Sequence, residues 1–237
     1  MGGARQWRGA RLTNFPRRGR PAPRPVGILG GTFDPVHVGH LRAAIELKSA
    51  LDLAEVRLIP ARLPPHRPQP RAAAEHRLAM LRRAVRGVAG LRVDARELSR
   101  AGPSYTVDTL GELRQELGQR PICLLLGADA FAGLTGWHRW QALFELAHLV
   151  VMQRPLSAGQ AAPPLPAKLA QAIGGRLADS ARALRGSCAG VVWRQALPPL
   201  DISATRVRAL LGAGESARFL VADSCLRYIR HHRLYID

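Results

Sequence analysis

The segment Gly30-Gly31-Thr32-Phe33-Asp34-Pro35-Val36-His37-Val38-Gly39-His40 concentrates residue types that handle phosphate. Gly30 and Gly31 let a ligand come close to the main chain. His37 and His40 are three residues apart, so at the start of a helix they project to the same side. Gly39 between them leaves room against the backbone. A helix N-terminus offers N–H groups and a partial positive charge to phosphate. Two imidazoles at that point donate hydrogen bonds to phosphoryl oxygens as charge grows on them. Two other readings stand beside this one, a pair of structural histidines and a pair of metal ligands. The metal is disfavoured because no third ligand follows at a matching spacing. Asp34 is read as a cap of the following helix. A second constellation, Ile202-Ser203-Ala204-Thr205-Arg206-Val207-Arg208, lies near the C-terminus. Ser203 and Thr205 are cap-type residues, and the forked guanidinium of Arg208, one turn on, suits phosphate oxygens. An ordinary capped amphipathic helix is the competing reading there.

These residues need elements to position them, and the hydrophobic pattern supplies an alternation. Val26–Gly30, Glu55–Pro60, Leu91–Ala95, Ile122–Leu126 and His148–Met152 read as short buried strands. Between them, His40–Leu51, Glu75–Val88, Val107–Leu117 and Trp137–Leu146 carry helical spacing, with Leu78, Leu81 and Val85 on the apolar face of the second. Ala167–Leu184 reads as partly helical and Val191–Trp193 as a last strand. Ser203–Leu211 and Ala222–His232 read as C-terminal helices. Strands separated by helices imply parallel pairing. The expected fold is therefore α/β, a Rossmann-like doubly wound parallel sheet with a small helical C-terminal segment, about residues 200–237. In such sheets ligands bind beyond the C-terminal ends of the strands, where the first constellation falls.

Composition bounds the rest. The chain has 237 residues, and 47% of them are apolar, enough for a packed core. It has no apolar run long enough to span a bilayer. The basic N-terminus has no apolar stretch behind it, so no signal peptide is expected. Cys123, Cys188 and Cys225 form no metal or disulfide pattern, which fits a reducing cytoplasm. The formal charge of +18 comes almost entirely from arginine, Lys48 and Lys168 being the lysines. Residues 1–25 hold seven arginines and no acid, and read as a disordered basic arm before one domain over 26–237. Nucleic acid is not expected as a partner, save through that arm. The field also suits a small phosphate-rich substrate. His76, His148, His231, His232 and Trp140 read as packing or solvated residues.

The first constellation resembles the G-G-T-F-D-P-V-H-x-G-H signature of the nucleotidyltransferases related to class I aminoacyl-tRNA synthetases. The second resembles that family's I-S-x-T-x-I/V-R motif. Between them lie Pro64-Pro65-His66-Arg67, Pro103-Ser104-Tyr105-Thr106, Leu126-Gly127-Ala128-Asp129-Ala130-Phe131, Trp137-His138 and Arg154-Pro155. These are similar to motifs of the bacterial nicotinate-nucleotide adenylyltransferases, and the resemblance runs from Val26 to Tyr235. It implies that nicotinate mononucleotide and ATP react to give nicotinate adenine dinucleotide and pyrophosphate, in NAD biosynthesis. A sister enzyme for nicotinamide mononucleotide or pantetheine phosphate is the alternative. Pantetheine-phosphate enzymes are usually shorter and lack the Pro-Ser-Tyr-Thr and Trp137 features.

The resemblance also implies roles. His37 and His40 contact the ATP phosphates and stabilise the transition state. Gly30, Gly31, Thr32 and Phe33 position the reacting phosphates through their turn. Ser203, Thr205 and Arg208 grip the β- and γ-phosphates, and Gly127 and Asp129 flank the nucleoside. On the acceptor side Trp137 stacks a pyridinium ring, or else fills the core. Tyr105 and Thr106 open a helix toward the nicotinate carboxylate. His66 and Arg67 reach the mononucleotide phosphate. At residue 138 the family often has another aromatic, so His138 leaves open whether the ring or its backbone N–H matters. Mg²⁺ is expected as a cofactor carried by ATP, with no protein metal site, because no acidic cluster is present. Oligomeric state is open.

Overall fold

The computed structural model describes residues 23–64, 68–153, 164–198 and 200–236. Six strands are β1 (Val26–Gly31), β2 (Glu55–Pro60), β3 (Leu91–Val93), β4 (Ile122–Gly127), β5 (His148–Gln153) and β6 (Val192–Ala196). They pair in parallel in the order β3-β2-β1-β4-β5-β6. The chain leaves β1 toward β2 on one side and reaches β4 on the other, so the order reverses at the β1–β4 boundary. Loops diverge there and leave a crevice.

Successive strand residues face opposite sides, and both sides are apolar. Leu29, Leu58, Leu125 and Val150 join one buried cluster, with Leu47 of α1 (Val38–Ala50) and Met80 of α2 (Ala74–Val85). Ile28, Leu124, Leu126 and Leu149 join the other. Its helical cover includes Leu110, past the short α3 (Arg96–Ser99), from α4 (Thr106–Leu117). Phe131 of α5 (Ala128–Ala132), Leu143 of α6 (Leu143–Leu146) and Ile173 of α7 (Ala167–Ile173) complete it. The C-terminal helices α8 (Ala204–Gly212) and α9 (Asp223–His231) return to the first face through Val207, Leu226 and Ile229. The sheet is thus doubly wound, as the alternation predicts. Among the described residues no helix is long and apolar enough to cross a membrane. Cys123 and Cys225 are buried and Cys188 partly so, all three as free thiols.

Several local expectations change. The first helix starts at Val38 rather than His40, so His37 is its N-cap, with extended backbone. The buried face of α2 is Arg77, Met80, Leu81 and Ala84, one residue off the expected stripe, because an arginine occupies a core-facing position. The segment Trp137–Leu146 is not one helix. It breaks into 3₁₀ turns at Leu134–Gly136 and Trp140–Ala142 followed by α6, with Arg139 left-handed at φ 49°. Trp137 therefore sits on extended backbone between two turns. Gly174 and Gly175 end α7 at Ile173, and Ala181–Arg185 forms a separate 3₁₀ turn. Residues 1–22 of the expected arm lie outside the described residues. Arg24 and Pro25 belong to the folded body: Arg24 Nη2 donates to Leu53 O at 3.0 Å, and Ala54 N–H donates to Pro25 O at 2.9 Å.

His148 opens β5 and is fully buried. Its Nε2–H donates to Ser187 O at 3.0 Å and its Nδ1 accepts the Val191 N–H at 3.1 Å, tying down the approach to β6. Both nitrogens are committed to a neutral ring, and burial lowers its pKa to about 4. His37 is lowered to about 4 for the same reason. Between pH 6.5 and 4 the unfolded chain then binds more protons than the folded one, so stability falls as the solution is acidified through that window. A shift of this size corresponds to about 3 kcal/mol for His148. Urea unfolding should show a marked loss of unfolding free energy from pH 7 to pH 4.5. His148→Gln should be less stable at pH 7 and show a shallower pH slope. A free energy independent of pH across that window would contradict the buried neutral assignment.

Candidate active site

The turn between β1 and α1 is held from several directions. Asp34 is buried, and its carboxylate accepts Arg71 N–H at 2.8 Å on Oδ2 and Ala72 N–H at 3.1 Å on Oδ1. Oδ1 also accepts the Tyr235 hydroxyl at 2.7 Å. Asp34 is therefore not a cap of α1; it anchors the stretch leading into α2. Its carbonyl accepts Arg208 Nη1 at 2.7 Å. Arg77 is only 1% exposed and donates to the carbonyls of Thr32 at 2.8 Å, Ala61 at 2.7 Å and Ala72 at 3.1 Å. Buried carbonyls that no ladder satisfies thus receive one guanidinium. The apolar stripe read from the sequence, Leu78, Leu81 and Val85, runs beside Arg77 and gives no sign of its burial.

That turn presents the two histidines. Phe33 takes a left-handed φ of 51° and is buried, with its ring edge-on to His40 at 5.0 Å. The rings of His37 and His40 stack at 3.7 Å. The His37 backbone N–H donates to His40 Nδ1 at 3.3 Å, which puts the proton of the neutral His40 ring on Nε2. The low pKa of His37 keeps that ring neutral at physiological pH, so the stack does not carry two positive charges. Nδ1 of His37 is buried with no hydrogen-bond partner, an uncommon state for a buried polar atom. A Cβ on Gly39 would stand 3.0 Å from that Nδ1 and 3.7 Å from Ile202 O, so a side chain there would crowd the His37 ring.

A cavity of about 730 Å³ opens beside the stack at the β1–β4 crevice. His37, His40, Gly127 and Asp129 line it, and Leu29, Met152, Leu197 and Ile202 give it an apolar wall. Neither Gly30 nor Gly127 has an atom within 4 Å of where a Cβ would stand, so both leave open space at the strand ends. Arg42 and Glu46 also line the cavity, paired with each other on successive turns of α1.

The second constellation reaches this site through Ile202. Ser203 caps α8, its Oγ accepting Arg206 N–H at 3.2 Å. Arg208 joins Asp34 O to Thr205 Oγ1, the latter at 3.3 Å. Arg208 lies next to the β1–α1 turn, and Ser203, Thr205 and Arg208 do not line the cavity. Gly30, Gly31, Thr32 and Phe33 do not line it either.

The remaining expected residues form a second patch. Tyr105 caps α4, and its ring lies 4.4 Å from that of His138, which brings Thr106 and Trp137 to the same region. Trp137 is half-buried and packs on the second core cluster. The Arg62 N–H donates to Ser104 Oγ at 2.9 Å, and Ser104 N–H donates to Leu63 O at 3.0 Å. The entry of α4 is thus fastened to the loop after β2. Below it Glu97 is buried, accepts the Thr109 hydroxyl at 2.7 Å, and has its pKa raised by burial. His66, Arg67, Arg154 and Pro155 lie outside the described residues.

With this geometry in hand, relatives can be compared. The cytidylyltransferase-like family model matches residues 28–210. A protein of Halorhodospira halophila named "probable nicotinate-nucleotide adenylyltransferase" is 52% identical over 201 residues, 85% of this chain and 90% of that one. A Pseudomonas putida protein of the same name is 50% identical over 217 residues, 90% and 96% of the two chains. Among solved structures, Plasmodium falciparum nicotinic acid mononucleotide adenylyltransferase, complexed with NaAD, superposes with a TM-score of 0.65. It covers 90% of this chain and 97% of its own at 14% identity, a likeness of fold. Half of the residues shared over nine-tenths of two bacterial chains, on this sheet and around this histidine pair, means that the chain belongs to the cytidylyltransferase-like nucleotidyltransferases, among the nicotinate-nucleotide adenylyltransferases.

Proposed function

We propose that the protein transfers the adenylyl group of ATP to nicotinate mononucleotide, forming nicotinate adenine dinucleotide and releasing pyrophosphate. The observation that carries this reading is the stacked His37–His40 pair at the cavity wall, with a buried unpartnered Nδ1 on His37 and the His40 proton on Nε2. A mononucleotide phosphate oxygen attacks the α-phosphorus. The bond to the bridging oxygen of the β-phosphate breaks, and pyrophosphate leaves with the electron pair. No covalent enzyme intermediate is needed, so the protein contributes orientation and charge stabilisation. His40 Nε2–H meets the growing negative charge, and His37 lies stacked beside it.

The apolar wall of Leu29, Met152, Leu197 and Ile202 suits the adenine, and Asp129 suits the ribose hydroxyls. Arg208 carries five N–H donors, two of which serve Asp34 and Thr205. The others are directed to the β- and γ-phosphates, with Ser203 and Thr205 beside them. Gly30 and Gly31 give the phosphates room, and Thr32 and Phe33 hold the turn. Among the described residues no group of three His, Cys, Asp or Glu side chains is arranged to hold a metal ion. Mg²⁺ is proposed to enter as part of the Mg–ATP substrate, where it would neutralise charge on the leaving pyrophosphate. On the acceptor side the pyridinium ring stacks on Trp137 within the Tyr105–His138 patch. The free N–H groups of α4 and the Thr106 hydroxyl take the nicotinate carboxylate. His66 and Arg67 are proposed from the sequence alone for the acceptor phosphate.

A coupled pyrophosphate-release assay with ATP and a panel of acceptors tests the reading. Nicotinate mononucleotide should outcompete nicotinamide mononucleotide at equal concentration, and pantetheine phosphate should not react. Equal turnover of the amide would remove the carboxylate argument. In the same assay His40→Ala should lower kcat by about 10²-fold or more, the scale of losing one donor to a developing oxyanion. A folded His40→Ala enzyme at near wild-type turnover would strip His40 of its role. Trp137→Ala should chiefly raise KM for the mononucleotide; an unchanged KM would return Trp137 to packing.

A further inference from the structure

We infer that Tyr235, the third residue from the end of the sequence, is a positioning residue for the adenylyl transfer and acts through Asp34 on the histidine pair. The inference rests on the reaction proposed above. Tyr235 is 201 residues from Asp34 in sequence, yet its hydroxyl donates to Asp34 Oδ1 at 2.7 Å in a buried setting. The tail is shaped to deliver it. After α9 the chain turns with Arg233 and Tyr235 both left-handed, at φ 50° and 63°, and Leu234 N–H donates back to Ile229 O at 3.0 Å. Left-handed backbone at two non-glycine residues costs free energy and persists only where other contacts impose it.

At the other end of the bond the catalytic turn carries a comparable cost. Phe33 is left-handed, and its ring supports His40 edge-on at 5.0 Å. Three residues past Asp34, the His37 N–H sets the His40 tautomer. Asp34 is where three separate parts of the chain meet this turn: Arg71 and Ala72 before α2, Arg208 of α8, and Tyr235. The Tyr235 hydroxyl is a side-chain donor to that carboxylate, supplied from the C-terminal tail. Removing it leaves the peptide N–H bonds on Oδ1 and Oδ2 and takes one restraint from a strained turn. Displacements well under 1 Å at reacting groups are enough to cost about tenfold in rate.

The test uses the full chain and compares Tyr235→Phe, which deletes only the hydroxyl, with Ile229→Val. The latter trims a methyl from a buried α9 residue of the same core cluster and leaves the Tyr235 hydroxyl in place, so it controls for general loosening. Two readouts are taken. The first is the imidazole resonances of His37 and His40 by NMR in the ligand-free protein, which does not depend on the acceptor. The second is kcat and KM with ATP and nicotinate mononucleotide. Tyr235→Phe should shift the His40 resonances and lower kcat by about tenfold, with both KM values within about twofold. Ile229→Val should change neither. In an Asp34→Ala background, which removes the acceptor, Tyr235→Phe should cost no further kcat, since the two act as one unit. Unmoved His40 resonances in Tyr235→Phe, or the same kcat loss in Ile229→Val, would overturn the inference. If the wild-type chain is inactive with nicotinate mononucleotide, the functional reading fails, while the NMR comparison still decides whether Tyr235 sets the histidine geometry.

Discussion

A buried carboxylate at the first strand-to-helix turn is the constraint on which the rest of the site depends. Asp34 lies under the turn that presents His37 and His40, and it draws donors from the approach to α2 and from the C-terminal tail. Burying a charge is costly unless several hydrogen bonds satisfy it. Here three bonds reach the carboxylate, and the guanidinium of Arg77 lies within electrostatic range on the same turn. Burial and the Asp34 carboxylate both push the Tyr235 hydroxyl pKa up, so it remains a donor. The turn could otherwise relax away from the left-handed conformation of Phe33. The network makes one geometry cheaper than its alternatives, and that geometry aims two imidazoles at one cavity.

The sheet order explains why the cavity is where it is. Parallel strands end together, and the reversal between β1 and β4 separates the connections that would otherwise cover those ends. Apolar residues on both faces fix the sheet between two helical layers, so the strand ends form a rigid rim. Part of the cavity lining comes from the ends of β1, β4 and β5 and from Ile202. The Tyr105–His138 patch comes from the entry of α4 and the turn around Trp137. The two patches are held on different elements, which suits a reaction whose main demand is the relative placement of two substrates.

Much of this was legible in the sequence because it is local. Strand runs such as Ile122–Leu126 cannot form anything else once flanked by turns, and their alternation with helices implies parallel pairing. The spacing of His37, Gly39 and His40 is likewise a local fact, and so is the cap at Ser203. The reading failed where local pattern and tertiary demand differ. The apolar spacing of residues 137–146 suggested a continuous helix, but a left-handed Arg139 breaks it, and Trp137 takes extended backbone. Asp34 looked like a cap because a helix follows it. Its partners at residues 71, 72 and 235 carry no mark in the neighbouring sequence.

The chain by itself therefore determined the fold class, the strand ends where ligands bind, the histidine pair and the relatives it resembles, since each depends on residue types at short spacing. Tertiary structure alone decided the tautomer of His40, the neutral state of His37, the burial of Arg77 and the reach of Tyr235 to Asp34. Those depend on which distant groups share a buried volume. Desolvation and hydrogen-bond satisfaction are set by neighbours in space, and spacing along the chain does not reveal them.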